Sequence, residues 1–273
     1  MDKRGHYKDL TNRNIGLFTP DEQNKLKNSC VAVFGLGGLG GVVAEVLCRT
    51  GIGHLKIIEH GEFEPTNLNR QIFCFCSTLD KKKREVAGSF MKDINPEARV
   101  ELYEKEDENN ISDILKGAAA AVLAVDKVRA CIVISREARR QGIPLIESWA
   151  MPYGNVRVFT KDTLSLEEAY KLPSIGKNAK DISEEEFKKI DAQMLNGFIQ
   201  DIEGLPSFVT ELVKNRMAAG ENSTLAPFVW MNSIFMSIET IKVLLHWGDI
   251  ALAPKFALYD PLLFRIPKQN PDR

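Results

Sequence analysis

Apolar residues in this 273-residue chain fall into short runs separated by stretches with helical spacing. Runs at 31–35, 55–59, 99–103, 119–125, 144–148 and 154–159 have strand length. Between them, 41–50, 83–93 and 128–141 repeat apolar positions at the period of a helix face. Strands alternating with amphipathic helices predict an α/β fold: Rossmann-like, a mostly parallel sheet with helices on both faces. Residues 118–125 are almost purely apolar, as expected of a central strand buried on both sides. Asn95-Pro96-Glu97 predicts a turn ahead of the third strand.

Different patterns frame this core. Residues 7–29 read as a polar helical lead-in, in which Thr19-Pro20-Asp21-Glu22 has the residues of a capped helix start. After residue 160 the chain becomes charged. The stretch 161–205, with Ser183-Glu184-Glu185-Glu186 as a helix opening, predicts helices and a mobile segment in a lobe over the sheet. Helical spacing returns at 207–219 and 228–246, and short strands at 256–260 and 263–267 close the chain. The expected organisation is a lead-in over 1–29, a Rossmann-like nucleotide-binding domain over 30–160, and an extension over 161–273. That extension is mainly helical, carries antiparallel strands, serves substrate binding and packs on the same domain.

Charge and composition narrow the function classes. With 36 basic and 37 acidic residues the formal net charge is −1, which gives no overall pull toward nucleic acid or anionic membrane. The five cysteines, Cys30, Cys48, Cys74, Cys76 and Cys131, have no framework spacing, which predicts a reducing compartment. No Cys-x-x-Cys pair exists, so no structural zinc is expected, and the four histidines lack metal or triad spacing. The N-terminus has no apolar signal core, and the most apolar stretch, 228–245, contains Glu239 and Lys242. The expectation is a soluble, cytoplasmic protein.

Chemistry concentrates at the strand ends. Gly35-Leu36-Gly37-Gly38-Leu39-Gly40 follows one strand and opens a helix, the context in which backbone N–H groups and a helix N-terminus receive phosphate. Packing is the plainer reading for Gly37 and Gly40, which let strand and helix approach. Glu59 follows Gly40 by 19 residues at the end of the second strand, where an acid holds a ribose hydroxyl. Arg70 stands among Asn67, Asn69 and Gln71, a setting suited to multidentate phosphate contact. Lys81-Lys82-Lys83-Arg84 opens a helix, where cations are electrostatically disfavoured unless an anion is near. Composition does not choose among the three lysines. Asp126 ends the most apolar strand and is placed either to hold Mg²⁺ or to cap the helix at 128–141. Two cations and a carboxylate around a glycine loop point to ATP and Mg²⁺. An NAD-dependent dehydrogenase fits the loop and Glu59 but leaves Arg70, Lys83 and Asp126 without work.

Together these pieces resemble the ThiF/MoeB/HesA family, relatives of the ubiquitin-activating enzymes. The resemblance runs from about Arg13 to Phe159. It is carried by Arg13-Asn14-Ile15-Gly16-Leu17, the glycine loop, Arg49-Thr50-Gly51-Ile52-Gly53, 67–71, Lys83 with Val86-Ala87, Ile94-Asn95-Pro96 and Asp126. It implies adenylation of a carboxylate by an adenylyltransferase. Gly35, Gly37, Gly38, Gly40 and Glu59 would bind the nucleotide, with Asn67, Arg70 and Lys83 on its phosphates. Asp126 would support Mg²⁺ and catalysis, and Arg13 would be supplied across a homodimer. The carboxylate would belong to a ubiquitin-like carrier protein, a peptide or a small acid. Four departures stand out: Glu for Asp at 59, Gly61 for a second acid, Lys127 beside Asp126, and no cysteine after 131 for a thioester. The resemblance extends to tRNA threonylcarbamoyladenosine dehydratases, less favoured given the neutral charge. A non-catalytic scaffold subunit is the remaining alternative, against which the retained cations and acid argue.

Overall fold

The computed structural model describes residues 6–200 and 223–267, with residues 211, 212, 215 and 216 between them. The sheet strands are β1 Cys30–Phe34, β2 His54–Ile58, β3 Arg99–Tyr103, β4 Ala120–Leu123, β5 Leu145–Glu147, β6 Gly154–Phe159 and β7 Ala257–Tyr259. They form one seven-stranded sheet in the order β3-β2-β1-β4-β5-β6-β7. The first five run parallel, and β6 and β7 join antiparallel. The order reverses between β1 and β4, which opens a crevice at their carboxyl ends.

Alternation along the strands builds two cores. Val31 and Val33 of β1 and Ala120 and Val122 of β4 face one side; Ala32, Phe34, Ala121 and Leu123 face the other. On the first side lie helix α3, Gly38–Thr50, helix α4, Lys83–Ile94, and the long helix Ala226–Leu245. On the second lie α5, Ile111–Leu115, α6, Val128–Gln141, α7, Leu166–Ala169, and α8, from Glu184 to Gln200. The antiparallel addition is tied by a buried pair: Arg157 Nε donates to Glu147 at 2.7 Å, and the guanidinium lies 4.1 Å from the Phe256 ring centroid. Removing one member would leave the other charge buried and uncompensated.

The lead-in forms two helices, α1 at His6–Thr11 and α2 at Pro20–Lys27. Thr19 caps α2 through the expected reciprocal box with Glu22, and Ser183 and Glu186 repeat that box at the start of α8. The helix expected at 207–219 falls almost wholly outside the described residues. Residues 263–267 do not form the expected strand. Asp260 accepts from the Leu262 and Leu263 N–H groups, Phe264 is left-handed at φ +50°, and only Asp260 and Arg265 pair. A turn therefore consumes the residues that would have extended a strand. The 20-residue helix Ala226–Leu245 is long and apolar enough to cross a membrane, contrary to the sequence-based expectation, yet half of its apolar stretch is buried inside the protein. It packs on α3 and β6.

Candidate nucleotide site

The glycine loop sits where the strand order reverses. Gly35 N–H donates to Ile58 at 2.8 Å, and Ala124 N–H donates to Phe34 at 2.9 Å. The loop thus lies between the ends of β2 and β4. Gly35 is left-handed at φ +88°, and a Cβ there would lie 2.4 Å from the Ala124 carbonyl oxygen. A Cβ on Gly40 would lie 1.9 Å from the Gly35 carbonyl oxygen. Those two glycines are required by the fold. Gly37 is different. It caps α3 with φ −68°, no side chain caps that helix, and nothing lies within 4 Å of where its Cβ would stand. The packing explanation therefore holds for Gly40 and is corrected for Gly37, which leaves open space at an uncapped helix N-terminus.

Glu59 leans into this loop. One carboxylate oxygen accepts from Leu36 N–H at 2.8 Å and the other from Gly61 N–H at 2.7 Å. Phe63 N–H donates to Lys81, and Lys83 N–H donates to Gly61, so 61–63 and 81–83 lie side by side. This register turns Lys83 toward Gly61. Its Nζ lies 3.6 Å from where a Gly61 Cβ would stand and 5.9 Å from the Phe63 ring centroid. Lys81 and Lys82 remain exposed. Arg84, given no role by the sequence reading, donates to the Glu59 carbonyl at 3.1 Å and holds the end of β2.

Arg70 crosses the front of α3. Its Cγ lies 3.2 Å from the position of a Gly38 Cβ, and its Nη1 donates to the Thr66 carbonyl and to Asn69 Oδ1, both at 2.9 Å. Burial lowers its pKa from the usual value, yet a guanidinium stays charged in proteins. Asn67 is buried and its Oδ1 accepts from Glu64 N–H at 3.2 Å, so its amide also builds the loop that carries Arg70. The start of the helix Ala226–Leu245 clamps this loop. Trp230 Nε1 donates to the Arg70 carbonyl at 2.8 Å, Asn69 Nδ2 donates to the Thr224 carbonyl at 3.1 Å, and Val229 reaches over Gly38. Trp230 and Val229 were missed from the sequence because their partners, Arg70 and Gly38, lie at least 160 residues away.

Asp126 is exposed just beyond β4 and does not cap α6. The cap position is Lys127, without a side-chain cap bond. Asp191 of α8 faces the same corner: burial pushes its carboxyl up, Lys127 opposes the shift and Asp126 adds to it. Burial also pushes up the Glu106 carboxyl, whose charged neighbours include His60 and Glu59. Among the described residues no three His, Cys, Asp or Glu side chains form a metal-binding group. The single Asp126 carboxylate fits a Mg²⁺ held through one carboxylate plus substrate phosphates. Arg13 is not brought to this crevice. Its neighbour Asn14 donates to the Thr50 carbonyl at 3.1 Å, at the end of α3 remote from the glycine loop. The 13 residues of α3 span about 20 Å.

Comparison with known proteins gives a consistent set. The model of the ThiF family matches residues 11–273. The tRNA threonylcarbamoyladenosine dehydratase of Haemophilus influenzae is 33% identical over 132 residues, 48% of this chain and 51% of that protein. The molybdopterin-synthase adenylyltransferase of the same species is 31% identical over 142 residues, 51% of this chain and 58% of that protein. This chain spans about half the length of the curated relatives it matches. Among solved structures, the E. coli dehydratase TcdA in complex with ATP superposes with a TM-score of 0.61 at 18% identity, covering 88% of this chain and 95% of that one. At that identity the likeness shows the fold.

Proposed function

The chain belongs to the ThiF family, and from that premise we propose that it is an adenylyltransferase that uses ATP and Mg²⁺ to activate a carboxylate. One observation carries the reading. Glu59, Arg70 and Lys83 gather around the uncapped N-terminus of α3, with an uncommitted Asp126 at the neighbouring strand end. The N–H groups of the loop and the first turn of α3 receive the phosphates. Glu59 retains lone pairs for the ribose hydroxyls, and Asn67 keeps the phosphate loop in shape. A carboxylate oxygen of the substrate attacks the α-phosphorus, the bond to the bridging oxygen of the β-phosphate breaks, and an acyl adenylate and pyrophosphate result. Arg70 and Lys83 neutralise the charge that develops on the departing pyrophosphate. Asp126 would hold Mg²⁺, which when bound supplies further charge neutralisation on the phosphates.

The acceptor is external: the sequence has no cysteine after Cys131. The acyl group then passes to sulfide, an amine or a carrier protein. The carboxylate is that of a ubiquitin-like carrier, a peptide or a small acid. A second reading, action on a tRNA adduct, is favoured by the local identity to the dehydratase. The site works as a homodimer, because Arg13 sits at the wrong end of α3 for its own glycine loop and serves a partner's phosphates.

Thermal denaturation with Mg-ATP and with NAD tests the nucleotide, since a ligand of the native state raises the melting temperature by mass action. Stabilisation by NAD and not by Mg-ATP would sink the proposal. ATP–pyrophosphate exchange, run against carrier proteins, peptides, small acids and tRNA, separates the substrate classes. Asp126→Asn should keep its fold and lose about 10² to 10³ in exchange rate.

A further inference from the structure

Two departures at the nucleotide site, Glu59 and Gly61, are one device. The Glu59 side chain is long enough to bring one oxygen to Leu36 N–H at 2.8 Å and the other to Gly61 N–H at 2.7 Å. That reach carries the carboxylate across the face of residue 61. A Cβ at 61 would stand 3.1 Å from Glu59 Oε1, closer than side chains normally pack, and 3.6 Å from Lys83 Nζ. Gly61 is not among the glycines with positive φ, so its backbone does not demand glycine. The tightness comes from the space: a side chain there would push on the Glu59 carboxylate, while meeting Lys83 Nζ at ordinary contact distance.

We infer that Gly61 is a positioning residue whose missing side chain lets the Glu59 carboxylate lie across it, fixed for a ribose. The inference rests on the nucleotide reading proposed above. It makes the longer acid at 59 and the glycine at 61 mutually dependent. An aspartate at 59 is shorter by one methylene and withdraws from residue 61. An acid at 61 is then tolerated, whereas beside Glu59 it crowds and repels that carboxylate.

The test is a double-variant cycle read by calorimetry, with Mg-ATP and with Mg-2′,3′-dideoxy-ATP, after melting curves establish that each variant is folded. Gly61→Asp should weaken Mg-ATP binding at least tenfold. Glu59→Asp combined with Gly61→Asp should return affinity to within about threefold of the parent, a coupling expected of groups in contact. Dideoxy-ATP, which lacks the hydroxyls that Glu59 would hold, should bind the parent and Gly61→Asp alike. The inference is overturned if Gly61→Asp binds Mg-ATP within twofold of the parent. It is equally overturned if the double variant is no better than Gly61→Asp, or if both nucleotides weaken together. A parent protein that binds neither nucleotide would instead remove the underlying reading of the site.

Discussion

At the scale of single residues, the glycines of the loop divide by physical cause. Gly40 is held by sterics, with 1.9 Å between a would-be Cβ and the Gly35 carbonyl oxygen, while Gly37 faces nothing within 4 Å. Gly40→Ala should therefore destabilise the protein by about 1–3 kcal/mol or more, the range for overpacking a filled site. Gly37→Ala should cost at most about 1 kcal/mol, the difference between glycine and alanine at a helix cap. It should nonetheless weaken Mg-ATP binding at least tenfold, because its methyl group would occupy the approach to the first turn of α3. Urea denaturation and calorimetry on both variants measure these effects. A Gly37→Ala protein that binds ATP normally would place the phosphates elsewhere.

At the scale of elements, the site depends on a contact between distant parts of the chain. The helix Ala226–Leu245 steadies the loop that carries Arg70 through the Trp230 N–H bond to the Arg70 carbonyl. Trp230→Phe keeps a ring and removes the donor. One hydrogen bond contributes about 0.5–1.5 kcal/mol, so Mg-ATP affinity should fall roughly 2- to 10-fold with little change in the melting temperature of the nucleotide-free protein. A lower melting temperature at unchanged affinity would mean that Trp230 only packs. The strand pair β2–β3 gives a separate, pH-dependent prediction. Desolvation holds the His54 ring below its ordinary pKa; Glu101 at 3.1 Å opposes the shift, and Arg99 and Lys56 add to it. The unfolded state then binds more protons in this range, so the His54 contribution is present above about pH 6.5 and is lost as pH falls through the folded value. Urea midpoints between pH 7.5 and 5.5 should fall less for His54→Gln than for the parent. Equal falls would show that other groups carry the acid sensitivity.

At the scale of the whole molecule, one sheet joins the half that carries the glycine loop to β7, the last strand among the described residues, and the lead-in seals the far end of α3. Tyr7 donates to the Gly51 carbonyl at 2.7 Å and Asn14 to the Thr50 carbonyl at 3.1 Å, which carries Arg13 to that end. Beside it Ile15 and Leu17 are exposed, Leu17 by 79%. An arginine held there suits a neighbour's site, and two-fold dimers are the commonest assemblies. Arg13→Ala and Asp126→Asn chains, each inactive alone, should regain activity when mixed and allowed to exchange subunits. Half the sites in a mixed dimer then keep both groups. Absence of recovery after verified exchange would assign Arg13 to its own chain or to no catalytic role.

Much of this architecture was legible in the sequence by itself, because strand and helix periods, the Thr19–Glu22 cap and the strand-loop-helix setting of Gly35–Gly40 are properties of neighbouring residues. The chain therefore dictated the α/β alternation, the central burial of Ala120–Leu123 and the candidate cations and acids at the strand ends. Contacts through space were not written there. The register of 61–63 against 81–83 turns Lys83 toward Gly61 and leaves Lys81 and Lys82 exposed. The collision of Gly40 with Gly35, and its absence at Gly37, separates packing from access. The Trp230 bond to Arg70 and the hold of Arg84 on β2 join residues whose distance in sequence carries no local signal. Residues 263–267 illustrate the same limit in reverse. Their composition suits a strand, but Asp260 captures two successive N–H groups and turns the chain before a ladder can form. Local chemistry determines which elements form, and packing across the sheet decides which of their side chains meet.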